Sequence, residues 1–353
     1  MNYEISKSQK RQSGVSLIEL MISLVLGLLI VGGVIQVFVA TQQTYRTQEA
    51  MSRIQESGRY ATEVLSRNIR QAGFKGGCAV NVDINILLDE TNTDTLIHTI
   101  GDGVRGWDNN APALYLPDMA GYVAGTDVIL IKHAAVTSGL TANGNTAASD
   151  AEINLTSTSG SGIPPGQFII VADDDACDIF QNGLNANENK LGRTNPVGLF
   201  PGNKSPADTS PFSKAYSDNM RIMLFQSDLY YISTSDADPN NRALRRIRYS
   251  NTGSAVNNNQ ELVDNIFDMQ IRYGIDTNND RRVNNYVSAN NVSSWDNVIA
   301  VRVSLLVRSD HNNILPEPIG GLPFNGSTFN ALAGDRRMYQ AFTTTVGVRN
   351  KLP

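Results

Sequence analysis

Lys10-Arg11-Gln12-Ser13-Gly14-Val15-Ser16-Leu17-Ile18-Glu19-Leu20, continuing as Met21-Ile22-Ser23-Leu24-Val25-Leu26-Gly27-Leu28-Leu29-Ile30-Val31-Gly32-Gly33-Val34-Ile35, is the stretch on which the fold turns. The residues before it are polar. Lys7, Lys10 and Arg11 outnumber Glu4, and that basic excess keeps residues 1–14 on the cytoplasmic side of a membrane. From 20 to 35 there is no ionisable side chain, and Ser23 alone is polar. As a helix, residues 15–40 rise about 39 Å, enough to cross a hydrocarbon core of roughly 30 Å. One span is expected, because no second apolar run of this length follows. A secretory signal would place its cleavage site after the apolar run, whereas Gly14 stands before it.

Glu19 is the exception inside the apolar segment. A carboxylate there costs roughly 2.5 to 3.5 kcal/mol on insertion scales, so it has either a partner or a route to headgroups and water. Gly27, Gly32 and Gly33 would let neighbouring helices approach closely or would soften the helix. Beyond residue 40 the helical spacing continues through Met51, Ile54, Gly58, Ala61, Leu65, Ile69 and Ala72, with Arg46, Glu49, Arg53, Glu56, Arg59, Glu63 and Arg67 on the opposite face. The spacing predicts one helix from Val15 to about Ala72, stopped by Gly73.

After Gly73 the period changes to two. Met269, Ile271, Tyr273 and Ile275 alternate with other residues, as do Val301, Val303, Leu305 and Val307, and Phe342, Thr344, Val346 and Val348. Shorter candidate strands cover 127–132, 167–172, 220–225, 229–233 and 243–249. Residues 137–165 and 181–219 are rich in Gly, Ser, Thr, Asn and Pro and are expected to be surface loops. The expected class is α+β: a long N-terminal helix, its first half transmembrane, on a mainly antiparallel sheet with long loops. The organisation is then a leader (1–14), a membrane helix (15–40), an amphipathic half (41–73) and a β-rich head (74–353).

The composition narrows the chemistry. A net charge of -5 argues against nucleic acid as the main partner. His98, His133 and His311 are scattered, and no metalloprotease, nucleophile-elbow or P-loop motif occurs. No enzyme is expected. The two cysteines, Cys78 and Cys177, either form a bridge in a periplasmic head or remain buried thiols. Asp276, Asn278 and Asp280 have the oxygen spacing of a calcium loop. Arg281 and Arg282 beside them and Val287 in place of the terminal acid favour an ordinary turn. No cofactor is expected, with Ca²⁺ as the weak alternative. Asp173-Asp174-Asp175 is expected to be a solvated loop. Arg242, Arg245, Arg246 and Arg248 form the densest basic cluster, to be explained by subunit salt bridges, by a solvated sheet edge that discourages stray pairing, or by DNA contact.

Gly14, the Ser16-Leu17-Ile18-Glu19-Leu20 run and the apolar segment behind it closely resemble the type IV prepilin family. Val15 departs from the family's usual Phe. The resemblance implies cleavage between Gly14 and Val15 by a prepilin peptidase, N-methylation of Val15, and pairing of Glu19 with the free ammonium of an adjacent subunit. The bulky head, with Phe74-Lys75-Gly76-Gly77-Cys78, Tyr273-Gly274, the 295–308 strand and the 342–350 ending, looks like the PilW minor pilins. That likeness implies a subunit that primes pilus assembly with other minor pilins. It would sit in the inner membrane with a periplasmic head and then at the fibre tip, with a PilY-type adhesin as partner, serving twitching, adhesion or DNA uptake. A type II secretion pseudopilin similar to GspJ is the nearest alternative, and a singly anchored periplasmic binding protein is another.

Overall fold

The computed structural model describes residue 14 and residues 16–78, 83–89, 95–98, 100–113, 115–137, 139–196, 201–204, 210–249 and 258–351. Helix α1 (Leu17–Gln71) runs for 55 residues from the extended Ser16. Its apolar first half packs on nothing, and every large apolar side chain named there, from Leu17 to Val39, is exposed. The second half is amphipathic, and it buries Ala50, Ile54, Gly58, Ala61, Leu65 and Ile69. Met51, expected on that face, is 40% exposed. Stepping back four residues from Ile54 reaches Ala50, and the helix turns Met51 out of the seam. The helix ends at Gln71, and Gly73 takes φ +72°, a left-handed backbone that glycine enters without strain.

Sixteen strands follow among the described residues. The first eight are β1 (Ile84–Ile86), β2 (Val104–Trp107), β3 (Val128–Val136), β4 (Glu152–Asn154), β5 (Phe168–Ala172), β6 (Cys177–Gln181), β7 (Lys190–Gly192) and β8 (Arg221–Thr234). The remainder are β9 (Arg242–Arg248), β10 (Asn259–Asp264), β11 (Ile266–Ile275), β12 (Asn285–Val287), β13 (Val298–Arg308), β14 (Leu322–Phe324), β15 (Ser327–Phe329) and β16 (Tyr339–Gly347). The larger sheet has the order β1-β6-β5-β8-β3-β2, with β9 also on β8 and β10 on β9. All its pairs are antiparallel except β1 with β6. The smaller sheet is antiparallel in the order β12-β11-β13-β16.

The single strand β8 replaces the two short strands read at 220–225 and 229–233. Gln226, Ser227 and Asp228 look like a break in sequence, yet they pair with His133, Lys132 and Ile131 of β3. The first part of β8 pairs with β5 and its second part with β9, so one strand joins two halves of the sheet.

Alternation explains the core. Ile54, Ala61, Leu65 and Ile69 of α1 share one apolar cluster with Ile271, Tyr273, Val301, Val303, Leu305 and Val346 of the smaller sheet. Ile129, Ile131, Tyr230, Ile232 and Leu244 of the larger sheet complete it. The helix therefore lies on the smaller sheet and closes the same core as both sheets.

The segments expected to be surface loops differ from that reading. They contain the β4-β7 ribbon, and Ile153, Leu155, Leu191, Phe212 and Tyr216 from them are buried with Ile169, Val171 and Phe180 in a second core. Their apolar residues are spaced singly among Asn, Gly and Ser, so no periodicity announces them.

Candidate functional site: the assembly helix and its grip on the head

Gly14 is exposed, and a Cβ placed there meets no atom within 4 Å. Val15 and residues 1–13 of the leader lie outside the described residues. Glu19 is in the first turn of α1 and exposed, where the helix dipole favours a negative charge. The Ser23 hydroxyl donates to the Glu19 carbonyl at 2.7 Å, so this polar side chain satisfies itself within the helix. Gly27, Gly32 and Gly33 would likewise meet nothing if a Cβ were added, so none of them serves packing against the head. An apolar, carboxylate-bearing rod is presented whole to its surroundings.

The head grips the rod along its other half. Gln43 Nε2 donates to the Ile314 carbonyl at 2.7 Å. Arg53 bridges Glu49 at 3.0 Å and Asp310 at 3.1 Å, an exposed pairing worth at most about 1 kcal/mol. Gly58 lets β16 come close, since a Cβ there would overlap the Phe342 ring. At the far end Asn350 Nδ2 donates to the Ala72 carbonyl at 3.0 Å. Just beyond, the Gly73 amide donates to Lys132 O at 2.9 Å and the Ala134 amide to Phe74 O at 2.7 Å, laying the exit chain on β3.

Cys78 and Cys177 form a disulfide with Cα atoms 5.5 Å apart, within the range that a bridge spans. Cys177 opens β6 and is fully buried, so the bridge anchors the chain just past the helix to the larger sheet.

Residues 9–35 match the family model of the prokaryotic N-terminal methylation motif, and residues 229–350 match Type IV Pilus-assembly protein W, PilW. Together the two matches support a type IV pilin of the PilW family. The PilW match begins within β8 and runs through β16, so it takes in the whole sheet on which α1 lies. The β4-β7 ribbon lies outside it. No curated protein and no solved structure matches the chain.

The calcium-loop residues form the turn between β11 and β12. Asp276 accepts the Asn278 amide at 3.2 Å and the Arg281 amide at 2.7 Å. Asp280 accepts the Arg282 amide at 2.9 Å and the Asn278 side-chain amide at 3.2 Å, while Asn278 accepts the Asp280 amide at 3.3 Å. The side-chain oxygens hold the turn itself. Among the described residues no group of three His, Cys, Asp or Glu is placed to hold a metal. Asp173 of the acidic triplet accepts the amides of Asp175 and Ala176 at 2.9 Å each and pairs with Lys214 at 2.8 Å. That residue builds the β5-β6 turn rather than merely being solvated.

The arginine cluster of the head is taken up internally. Arg245 clamps Asp236 through both terminal nitrogens at 2.7 and 2.9 Å, and Arg248 clamps the buried Asp228 at 2.8 Å twice. Arg246 donates to Gln260 at 2.8 Å, and Arg242 donates to Phe267 O at 2.7 Å while lying over the Phe267 ring. These partners belong to the same chain, whereas the sequence reading looks to salt bridges between subunits. The charged-edge reading fails because β10 covers the outer side of β9.

Asp127 escaped the sequence reading. It sits at the start of β3, accepts the Asn109 amide at 2.8 Å and the Ile271 amide at 2.6 Å, and donates its own amide to Met269 O at 2.9 Å. It therefore stitches the larger sheet to β11 of the smaller one. Burial pushes its carboxyl up to about 7 against these amides. A single acid ahead of a strand gave no signal of this role.

Proposed function

We propose that this pilin is a minor subunit that helps prime assembly of the type IV pilus and stays at or near the fibre tip. The observation that carries the reading is the joint match of the N-terminus to the methylation motif and of the helix-bearing sheet to the pilus-assembly protein W family. The pilus match favours this over a pseudopilin of type II secretion. Pilin-family domains are structural, and the reading needs no cofactor.

The chemistry follows from the rod. Prepilin peptidase cuts between Gly14 and Val15, and Val15 is then N-methylated. The free chain makes no steric demand for glycine at 14, so the demand belongs to a cleft that grips the backbone beside the membrane. Residues 17–39 lie in lipid until neighbouring pilin helices replace it. The Glu19 carboxylate then pairs with the ammonium of Val15 in an adjacent subunit, setting the axial register, because an unpaired charge in that apolar bundle is costly. The head, periplasmic before assembly, meets other minor pilins and a PilY-type adhesin and thereby serves twitching, adhesion or DNA uptake.

The intact mass of the chain from cells with active pilus machinery is the test. It is expected to start at methylated Val15, and Gly14→Leu should retain Met1 and remain unincorporated. A wild-type chain that keeps Met1 in such cells would refute the reading.

A further inference from the structure

Gln43 against Ile314, Arg53 against Asp310, Gly58 against Phe342 and Ala72 against Asn350 fix the height of the head on its helix. From Phe342 to Asn350 the chain climbs away from the apolar segment as the helix does. Residues 331–337, which lead into β16, therefore lie at the foot of the head. That foot is tied together: Asn312 Nδ2 donates to Gly334 O at 3.0 Å, the amides of Ile314 and Leu315 donate to Arg336 O at 3.1 and 2.8 Å, and the Arg336 side chain donates to Asn313.

Gln43, the lowest of these contacts, comes three residues after Ala40, where the apolar run ends. Three residues of helix rise about 4.5 Å, whereas the headgroup layer on each side of a bilayer is roughly 5 to 7 Å thick. The foot is thus at headgroup depth whenever 15–40 spans the membrane. Tyr45, about 7.5 Å beyond Ala40 along the helix, is 68% exposed at the outer edge of that layer, and Leu332 at 81% is the most exposed large apolar side chain among the described residues. One exposed leucine carries no meaning by itself. Here it stands with an exposed Tyr, of the kind that marks membrane interfaces, and with two cations. Arg53 is bridged by Glu49 and Asp310, and Arg337 by Asp335, while among the described residues no carboxylate bridges Arg46 or Arg336.

We propose that the foot of the membrane-anchored pilin rests on anionic lipid, with Arg46 and Arg336 meeting headgroup phosphates and Leu332 dipping past them toward the acyl boundary. The pairing of an apolar tip with flanking cations fits a surface that is apolar beneath and anionic above. The inference rests on the anchored-pilin reading and places the head against the bilayer before assembly.

Both native cysteines are in the disulfide, so an introduced thiol is the one available for a fluorophore. Full-length Leu332→Cys, Leu116→Cys and Val31→Cys chains are labelled and reconstituted in bilayers of phosphatidylglycerol and phosphatidylcholine containing brominated lipid. The expected result is strong quenching at 31 and at 332, with 332 quenched at least about two-fold more than 116. Quenching at 332 should fall in phosphatidylcholine alone and with Arg46→Gln plus Arg336→Gln. Quenching at 31 with 332 no different from 116 overturns the inference and leaves the anchored reading standing, whereas no quenching at 31 overturns both. Equal quenching at 332 in both lipid mixtures overturns the role of the two arginines.

Discussion

Burial pushes the Asp127 carboxyl up to about 7, so between its ordinary value near 3.8 and that point the folded chain holds a proton that the unfolded chain has released. Asp127 therefore favours folding most at low pH, and its contribution is lost as pH rises through the folded value. Asp127→Asn removes this dependence. Denaturant unfolding of the full-length chain in detergent should show the variant gaining on the wild type by about 1 kcal/mol or more between pH 4 and pH 8. A difference that stays constant across that range would mean that Asp127 does not titrate there. At this scale the sequence was least informative. Asp228 and Asp236, which neutralise Arg248 and Arg245, and the Ile271 amide, which holds Asp127, come together only when strands pair.

Gly58 and the disulfide act on the element they join. A Cβ at 58 would overlap Phe342, which is itself half-buried against the core, so a larger side chain must lift β16 or displace the ring. Gly58→Leu should destabilise by roughly 1 to 3 kcal/mol despite the better helix propensity of leucine, a loss that thermal unfolding will read. The Cys78–Cys177 bridge closes a loop of 99 residues, and replacing both cysteines by Ser should cost about 2 to 4 kcal/mol. An unchanged midpoint would mean that the bridge constrains little in the unfolded chain. Elements were the scale best read from sequence. The rod followed from an uncharged run of apolar residues and then a repeat of three and four. Strands β11, β13 and β16 followed from alternation. The β4-β7 lobe was hidden because each of its buried residues, such as Ile153 and Phe212, stands alone in a polar stretch.

At the scale of the whole molecule, the rod is exposed on its own and needs either lipid or a bundle of its own kind around it. Glu19→Ala keeps the rod apolar, so membrane anchoring should persist while incorporation falls, on the order of ten-fold for a lost charge pair of about 1.4 kcal/mol. Quantifying the subunit in sheared pili against the membrane fraction reads the two separately. Equal incorporation of the variant would remove Glu19 from the assembly step. The alignment of β16 with α1 bears on mechanics as well. From Phe342 beside Gly58 to Asn350 beside Ala72, the chain of β16 runs alongside the helix. Tension applied along the rod therefore loads the apolar seam between α1 and the smaller sheet along its whole length in shear rather than opening it from one end, and the head resists being peeled from its stalk.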